Sequence, residues 1–231
     1  MTELITYIFE FVTLFISFWT FFTLFKQKKN SQVPLGNTFL ALGAFFLGIY
    51  ALFTIIYSLI GQEWAIITFL KLGMVSLMIG VLFLFYTMQI LTYSSKSIKI
   101  KKISYWGSLV AFLVIALILL FTNYITVVDS ATGATHFQSL QFYLFAIFVA
   151  FMLVYSTIPL YRFGIKKNTG ETKKRAQFFL IALLFFIGSL FIDAIGNIIE
   201  IEALFDTLLF AFISIGILFA TRAFYGKKSD H

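Results

Sequence analysis

The stretch GSLFIDAIGNIIEIEALFD, Gly188 to Asp206, carries four acids and no base in otherwise apolar sequence. Its polar residues gather around IEIE, which divides the stretch into the end of one apolar segment and the start of the next. Read this way it is a tight turn between two membrane-crossing helices, and Glu200 and Glu202 sit in water. Asp193 then lies roughly five residues below the turn, about 7–8 Å down at 1.5 Å per residue. A charged side chain at mid-membrane costs about 2.5–3.5 kcal/mol, and the cost falls toward the interface. The position of the boundary therefore decides whether Asp193 needs a partner.

The same reading extends along the chain. Of 231 residues, 61% are hydrophobic, 20% aromatic and 12% charged, with 32 phenylalanines. The mean hydropathy is +0.98. Such a composition lies outside the range of soluble domains. Seven apolar segments follow, at 3–25, 38–60, 66–92, 104–124, 138–161, 176–198 and 203–223. Each is near the 20 residues that a helix needs to cross about 30 Å of hydrocarbon. Strict two-residue alternation is absent, which favours helices over a barrel. The expected fold is an all-α, polytopic seven-transmembrane-helix bundle, residues 1–231 forming a single domain. The first segment ends in KQKK rather than in a small-residue cleavage site, so it reads as a retained helix and not as a signal peptide.

Charge sets the expected orientation. Sixteen of the seventeen basic residues follow the first, third, fifth and seventh segments; Lys71 is the exception. The positive-inside rule places that side in the cytoplasm and the N-terminus outside, in a multi-pass protein of the cell membrane. The short connections GQEW and IEIE imply adjacent antiparallel helix pairs. In NYITVVDSATGATHFQ the centre DSATG reads as a turn and ITVV as a short strand. Pro159, within the last turns of the fifth helix, is expected to kink it, and Arg162 soon afterwards reads as the helix ending. With a tail as short as YGKKSDH and short basic loops, no attached kinase, cyclase or nucleotide-binding unit is expected.

Glu10, Lys71 and Asp206 join Asp193 in the outer half of the bundle. Each of them reaches water or headgroups independently, or they converge on an outward-facing pocket. Two stripes favour convergence: Thr6, Glu10, Thr13, Ser17 and Thr20 on the first helix, and Ser189, Asp193, Asn197 and Glu200 on the sixth. Both recur at steps of three and four, so each lies on one helix face and should turn inward. Tyr57, within a Tyr50–Thr54–Tyr57–Ser58 stripe, is a further pocket candidate. Asp193 is expected to share an electrostatic network with Lys71, with Glu10 or Asp206 as the competing partner. The candidate ligand-binding residues are thus Glu10, Tyr57, Lys71, Asp193, Asn197 and Asp206. Gly73, Ser76 and Gly80 read as a close-packing face. Lys166, Lys167, Lys173, Lys174 and Arg175 form the expected cytoplasmic contact surface.

Catalytic equipment is missing. The chain has no cysteine and two histidines, and it lacks HExxH, a phosphate loop and a nucleophile elbow. No catalytic residue, metal site or cofactor is expected, and the lysines belong to short loops rather than to a nucleic-acid recognition module. The seven-helix layout resembles microbial rhodopsins. Their retinal lysine has no counterpart in FDTLLFAFISIGILFATRAF, so a photoactive pigment is rejected. The segment ETKKRAQFFLIALLFFIGSLFIDAIGN, Glu171 to Asn197, resembles the seven-helix sensory module at the N-terminus of some membrane histidine kinases and diguanylate cyclases. Basic residues and Gln177 precede an apolar helix with Gly188 and an acid near its outer end. That resemblance implies a receptor-like or sensory function, with an unknown small ligand outside and a separate cytoplasmic signalling protein inside. A small-solute or proton-coupled transporter, or a structural subunit contacting other membrane proteins and lipids, are the alternatives.

Overall fold

The computed structural model describes residues 2–28, 31, 33–93, 102–129, 134–137, 139–199 and 202–225. Its helices are α1 (Thr2–Gln27), α2 (Pro34–Ile60), α3 (Glu63–Tyr93), α4 (Lys102–Phe121), α5 (Ser139–Pro159), α6 (Gly170–Ile199) and α7 (Glu202–Phe224). Strands β1 (Ile125–Asp129) and β2 (Ala134–Phe137) form an antiparallel hairpin between α4 and α5. The register slips between Val127 and Asp129. All seven helices are long and apolar enough to cross a membrane. The expected strand at ITVV is present, and the DSATG turn falls largely on 130–133, outside the described residues.

The connections dictate the order of packing. Gly61 takes a left-handed φ of 62° and donates its N–H to the Tyr57 carbonyl, which closes the end of α2. The chain reverses there, and α2 packs along α3; α6 and α7, which follow each other closely in sequence, pack together in the same way. Helix α1 lies between α2 and α7, and α3 also meets α4 and α5. The molecule thus has a hairpin end, carrying Gly61 and the β-strands, and a basic end.

Small residues set the interhelix spacing. A Cβ on Gly80 would stand 3.1 Å from the Leu47 side chain and 3.3 Å from the Gly43 carbonyl oxygen, so α2 and α3 meet backbone to backbone. Gly73 faces Tyr50 and Phe53 of α2, and Ser76 is buried, as a close-packing face requires. The core between the helices is rich in aromatic and aliphatic side chains, including Phe179, Phe210 and Phe224.

Several boundaries differ from the hydropathy reading, among them the start of α6 at Gly170 rather than at 176. Helix α4 stops at Phe121 rather than at 124, because Tyr124 turns into the core and is fully buried. The α-helical part of α5 ends at Pro159, but the helical path continues beyond it. Pro159 has no N–H to donate, and the chain widens into a π-helical turn over Leu160–Ile165, in which Lys166 N–H reaches five residues back to Tyr161.

Candidate functional site

Helices α1 and α7 are joined by a ladder of hydroxyls. Thr6 meets Thr207 at 2.8 Å, Thr13 meets Ser214 at 2.7 Å and Thr20 meets Thr221 at 2.9 Å. The sequence offset is 201 at every rung, so the two helices run parallel. The rungs recur every seventh residue, the repeat that keeps one seam in contact along a left-handed pair. Thr13 also bonds the carbonyls of Phe9 and Phe210, at 2.8 and 3.1 Å. The first-helix stripe therefore does turn inward. Its other members, Glu10 and Ser17, share a second heptad position with buried Leu24. Ser17 presses against Gly48 of α2, so this second row faces the α1–α2 contact.

Glu10 lies between the first two rungs, about 12 Å along α1 from its start at the helical rise. Its side chain is 3% exposed, and Oε2 has no hydrogen-bond partner among the described residues. Asp206, which precedes the rung residue Thr207, is half-buried and acts on Glu10 electrostatically. A stacked pair, Tyr50 and Phe210, with centroids 5.7 Å apart, spans α2 and α7 beside Thr13. Nearly all buried polar atoms in folded proteins find partners. A carboxyl oxygen without one, facing another acid, marks a place that suits a cation or a proton.

The sequence candidates separate on this frame. Glu10 and Asp206 come together. Tyr57 is half-buried on α2, where Thr54 and Ser58 return their hydroxyls to the Tyr50 and Thr54 carbonyls. The side chains of Asp193 and Asn197 lie outside the described residues, and so does the expected Asp193 partnership. Ser189, the described member of that stripe, is buried and donates to the Phe186 carbonyl.

Lys71 is engaged elsewhere than with Glu10. It is 9% exposed, and Nζ donates to the Thr122 carbonyl at 2.6 Å while lying 5.6 Å from the centre of the Tyr124 ring. Thr122 follows the last residue of α4, so the ammonium satisfies a carbonyl at a helix C-terminus and complements the helix dipole. Burial pushes the Tyr124 phenol above its ordinary range, so the ring beneath the ammonium stays neutral. The Tyr124 hydroxyl points to Met74 Sδ at 3.3 Å. Lys71 and Tyr124 together fasten the hairpin connection to α3.

At the basic end, Lys166 and Lys167 are exposed on the turn after α5, and Lys173 and Lys174 on the first turns of α6; Arg175 is half-buried. Lys174 pairs with Glu171 at 3.8 Å. The residues missed from sequence are Thr207, Ser214, Thr221, Gly48 and Tyr124. The spacing of seven along α7 was visible for the first three, but its meaning required the matching row on α1. No family model matches the chain, and no curated protein or solved structure matches it either.

Proposed function

We propose that the chain is a multi-pass protein of the cell membrane, hairpin end outside and basic end cytoplasmic, that acts as a receptor-like sensor of a small cationic ligand. The outer surface supports insertion. Phe15 is 72% exposed, Ile103 90% and Phe121 82%, on a scale that suits lipid far better than water. The basic residues supply the direction. With Ser130→Cys and Ser229→Cys introduced singly, a membrane-impermeant thiol reagent should label the first from outside and the second only after permeabilisation. External labelling of both would overturn this topology.

The observation that carries the sensory reading is the buried Glu10 carboxyl with its unpartnered oxygen beside Asp206. An ammonium ligand would supply the missing donor, and the Tyr50–Phe210 pair offers aromatic surface nearby for its cationic head. The hydroxyl ladder continues from this site toward the basic end, where Lys173, Lys174 and Arg175 face a separate cytoplasmic partner. Transport is the competing reading. Apart from Glu171 at the start of α6, no described acid lies toward the basic end to extend a relay across the bundle, which favours sensing over passage.

The test is thermal stability of the purified chain with a panel of alkylammonium ions, at constant ionic strength. Binding at about one hundred times Kd adds about 2.7 kcal/mol to a folded state. A member of the panel should raise the midpoint of the wild type and leave Glu10→Gln unmoved. Equal responses in both proteins would remove Glu10 from the site, and indifference of the wild type to every ammonium ion would end the cationic assignment.

A further inference from the structure

We propose that the α5–α6 turn binds the headgroup of an anionic phospholipid, with Lys166 and Lys167 as its charged contacts and the adjoining outer face of α5 as the bed for an acyl chain. This rests on the membrane-embedded reading but not on its orientation or on a ligand at Glu10.

The turn is built rather than loose. The π-helical widening after Pro159 brings Tyr161 and Phe163 under the two lysines that follow. Lys166 Nζ lies 5.1 Å from the Tyr161 ring centre, and Lys167 Nζ lies 4.7 Å from that of Phe163. Phe163 in turn packs on Tyr93 of α3, with centroids 5.7 Å apart. Asn168 Nδ2 closes the turn by donating to the carbonyls of Phe163 and Gly164, at 2.9 and 3.1 Å. A ring occupies one side of each ammonium and leaves its other donors available to an anion.

Charge and shape then select the partner. The ion pair formed by the described residues of this region uses Glu171 and Lys174, not Lys166 or Lys167. Arg162 adds an exposed base one turn earlier. Immediately beyond it runs an exposed apolar stripe, with Phe151 59%, Val154 47%, Ile158 52% and Tyr161 48% exposed. From 151 to 161 this stripe covers about 15 Å of helix. An acidic protein surface would answer the lysines and leave the stripe unused. A phospholipid answers both, because its phosphate and its chain leave the interface in the same order.

The experiment uses the full chain in uncharged detergent micelles, where sidedness is absent. Phosphatidylglycerol, phosphatidylcholine and soluble glycerol phosphate are added separately, and binding is read from the thermal midpoint. A base near a membrane surface contributes about 1 kcal/mol, or about fivefold. Phosphatidylglycerol should therefore bind the wild type, and Lys166→Gln with Lys167→Gln should weaken it at least about tenfold. Lys166→Arg with Lys167→Arg should retain binding, which separates charge loss from misfolding. Lys173→Gln with Lys174→Gln removes the same charge and should change affinity less than about threefold. Tyr161→Leu keeps every charge and should still weaken the lipid.

Equal losses from the two glutamine pairs would reduce the site to diffuse charge and overturn it. Equal response to glycerol phosphate would remove the acyl bed. Binding of polyglutamate that depends on Lys166 and Lys167, without any preference for phosphatidylglycerol, would replace the lipid with an acidic protein partner. Glu10→Gln measured alongside keeps the readings apart, because lipid binding should survive in a protein that no longer responds to ammonium ions.

Discussion

Gly48→Ala should lower the thermal midpoint by forcing α1 and α2 apart. A Cβ at this position would stand 2.9 Å from the Cβ of Ser17, and Ser17 is fully buried on α1. Two Cβ atoms cannot rotate out of each other's way, so the helices must part. Overpacking of this kind costs about 1–3 kcal/mol. Ser17→Gly removes the opposing carbon at its own helix-propensity cost of about 1 kcal/mol relative to alanine. The double variant should therefore be more stable than the sum of the two single changes, which a thermal double-mutant cycle in mild detergent reads directly. Gly107→Ala is the contrast: nothing lies within 4 Å of a Cβ there, and the change should be neutral or stabilising by about 0.5–1 kcal/mol. Strict additivity at Gly48 and Ser17 would mean that α1 and α2 do not approach this closely.

Lys71→Met should loosen the hairpin end without disturbing the α1–α7 seam. The change strips the Thr122 carbonyl of its charged donor and the Tyr124 ring of its cation. Hydrogen bonds to charged groups contribute about 1.5–3 kcal/mol, and methionine keeps most of the buried volume. Faster amide exchange across β1 and β2, with little change near Thr13 and Thr20, is the expected pattern. Tyr124→Leu should reproduce much of it, and the two changes together should cost less than their sum. Combining Lys71→Met with Asp193→Asn asks whether the network also reaches α6; non-additivity there would bring Asp193 in. Uniform exchange throughout the chain would show that Lys71 is not a local fastening.

The helices were legible because hydrocarbon thickness imposes a length and an apolar content that few other structures share. The inward turn of the α1 stripe was legible for a related reason: a carboxyl and four hydroxyls on one face have no use toward lipid. What faced that stripe was not. Thr207, Ser214 and Thr221 lie some two hundred residues away, and a hydroxyl in an apolar helix can satisfy itself on its own backbone. The Thr122 carbonyl that Lys71 meets was hidden for a different reason: it belongs to a helix end that hydropathy had run three residues too far. Gly48 could not be singled out among the glycines of α2, because close approach depends on the neighbour's rotation. The polar extension of α6 back to Gly170 was hidden by the same measure that found the helix, since hydropathy sees the hydrocarbon and not the helix beyond it.

The α1–α7 seam joins the first and last helices of the bundle, so in a chain inserted in order of synthesis it is the final one to close. Until α7 emerges, the face of α1 that carries the rungs stays uncovered. Threonine and serine are suited to that wait. Thr13 already donates to Phe9 and Thr221 to Ile217, within their own helices, so neither hydroxyl need be left bare before its rung forms. An asparagine or glutamine at these places would go unsatisfied for the whole interval and invite wrong neighbours. Glu10 has no such provision, but it shares its row with Ser17, which faces Gly48 of α2, so its burial begins with the α1–α2 contact, before the rungs on either side of it are paired.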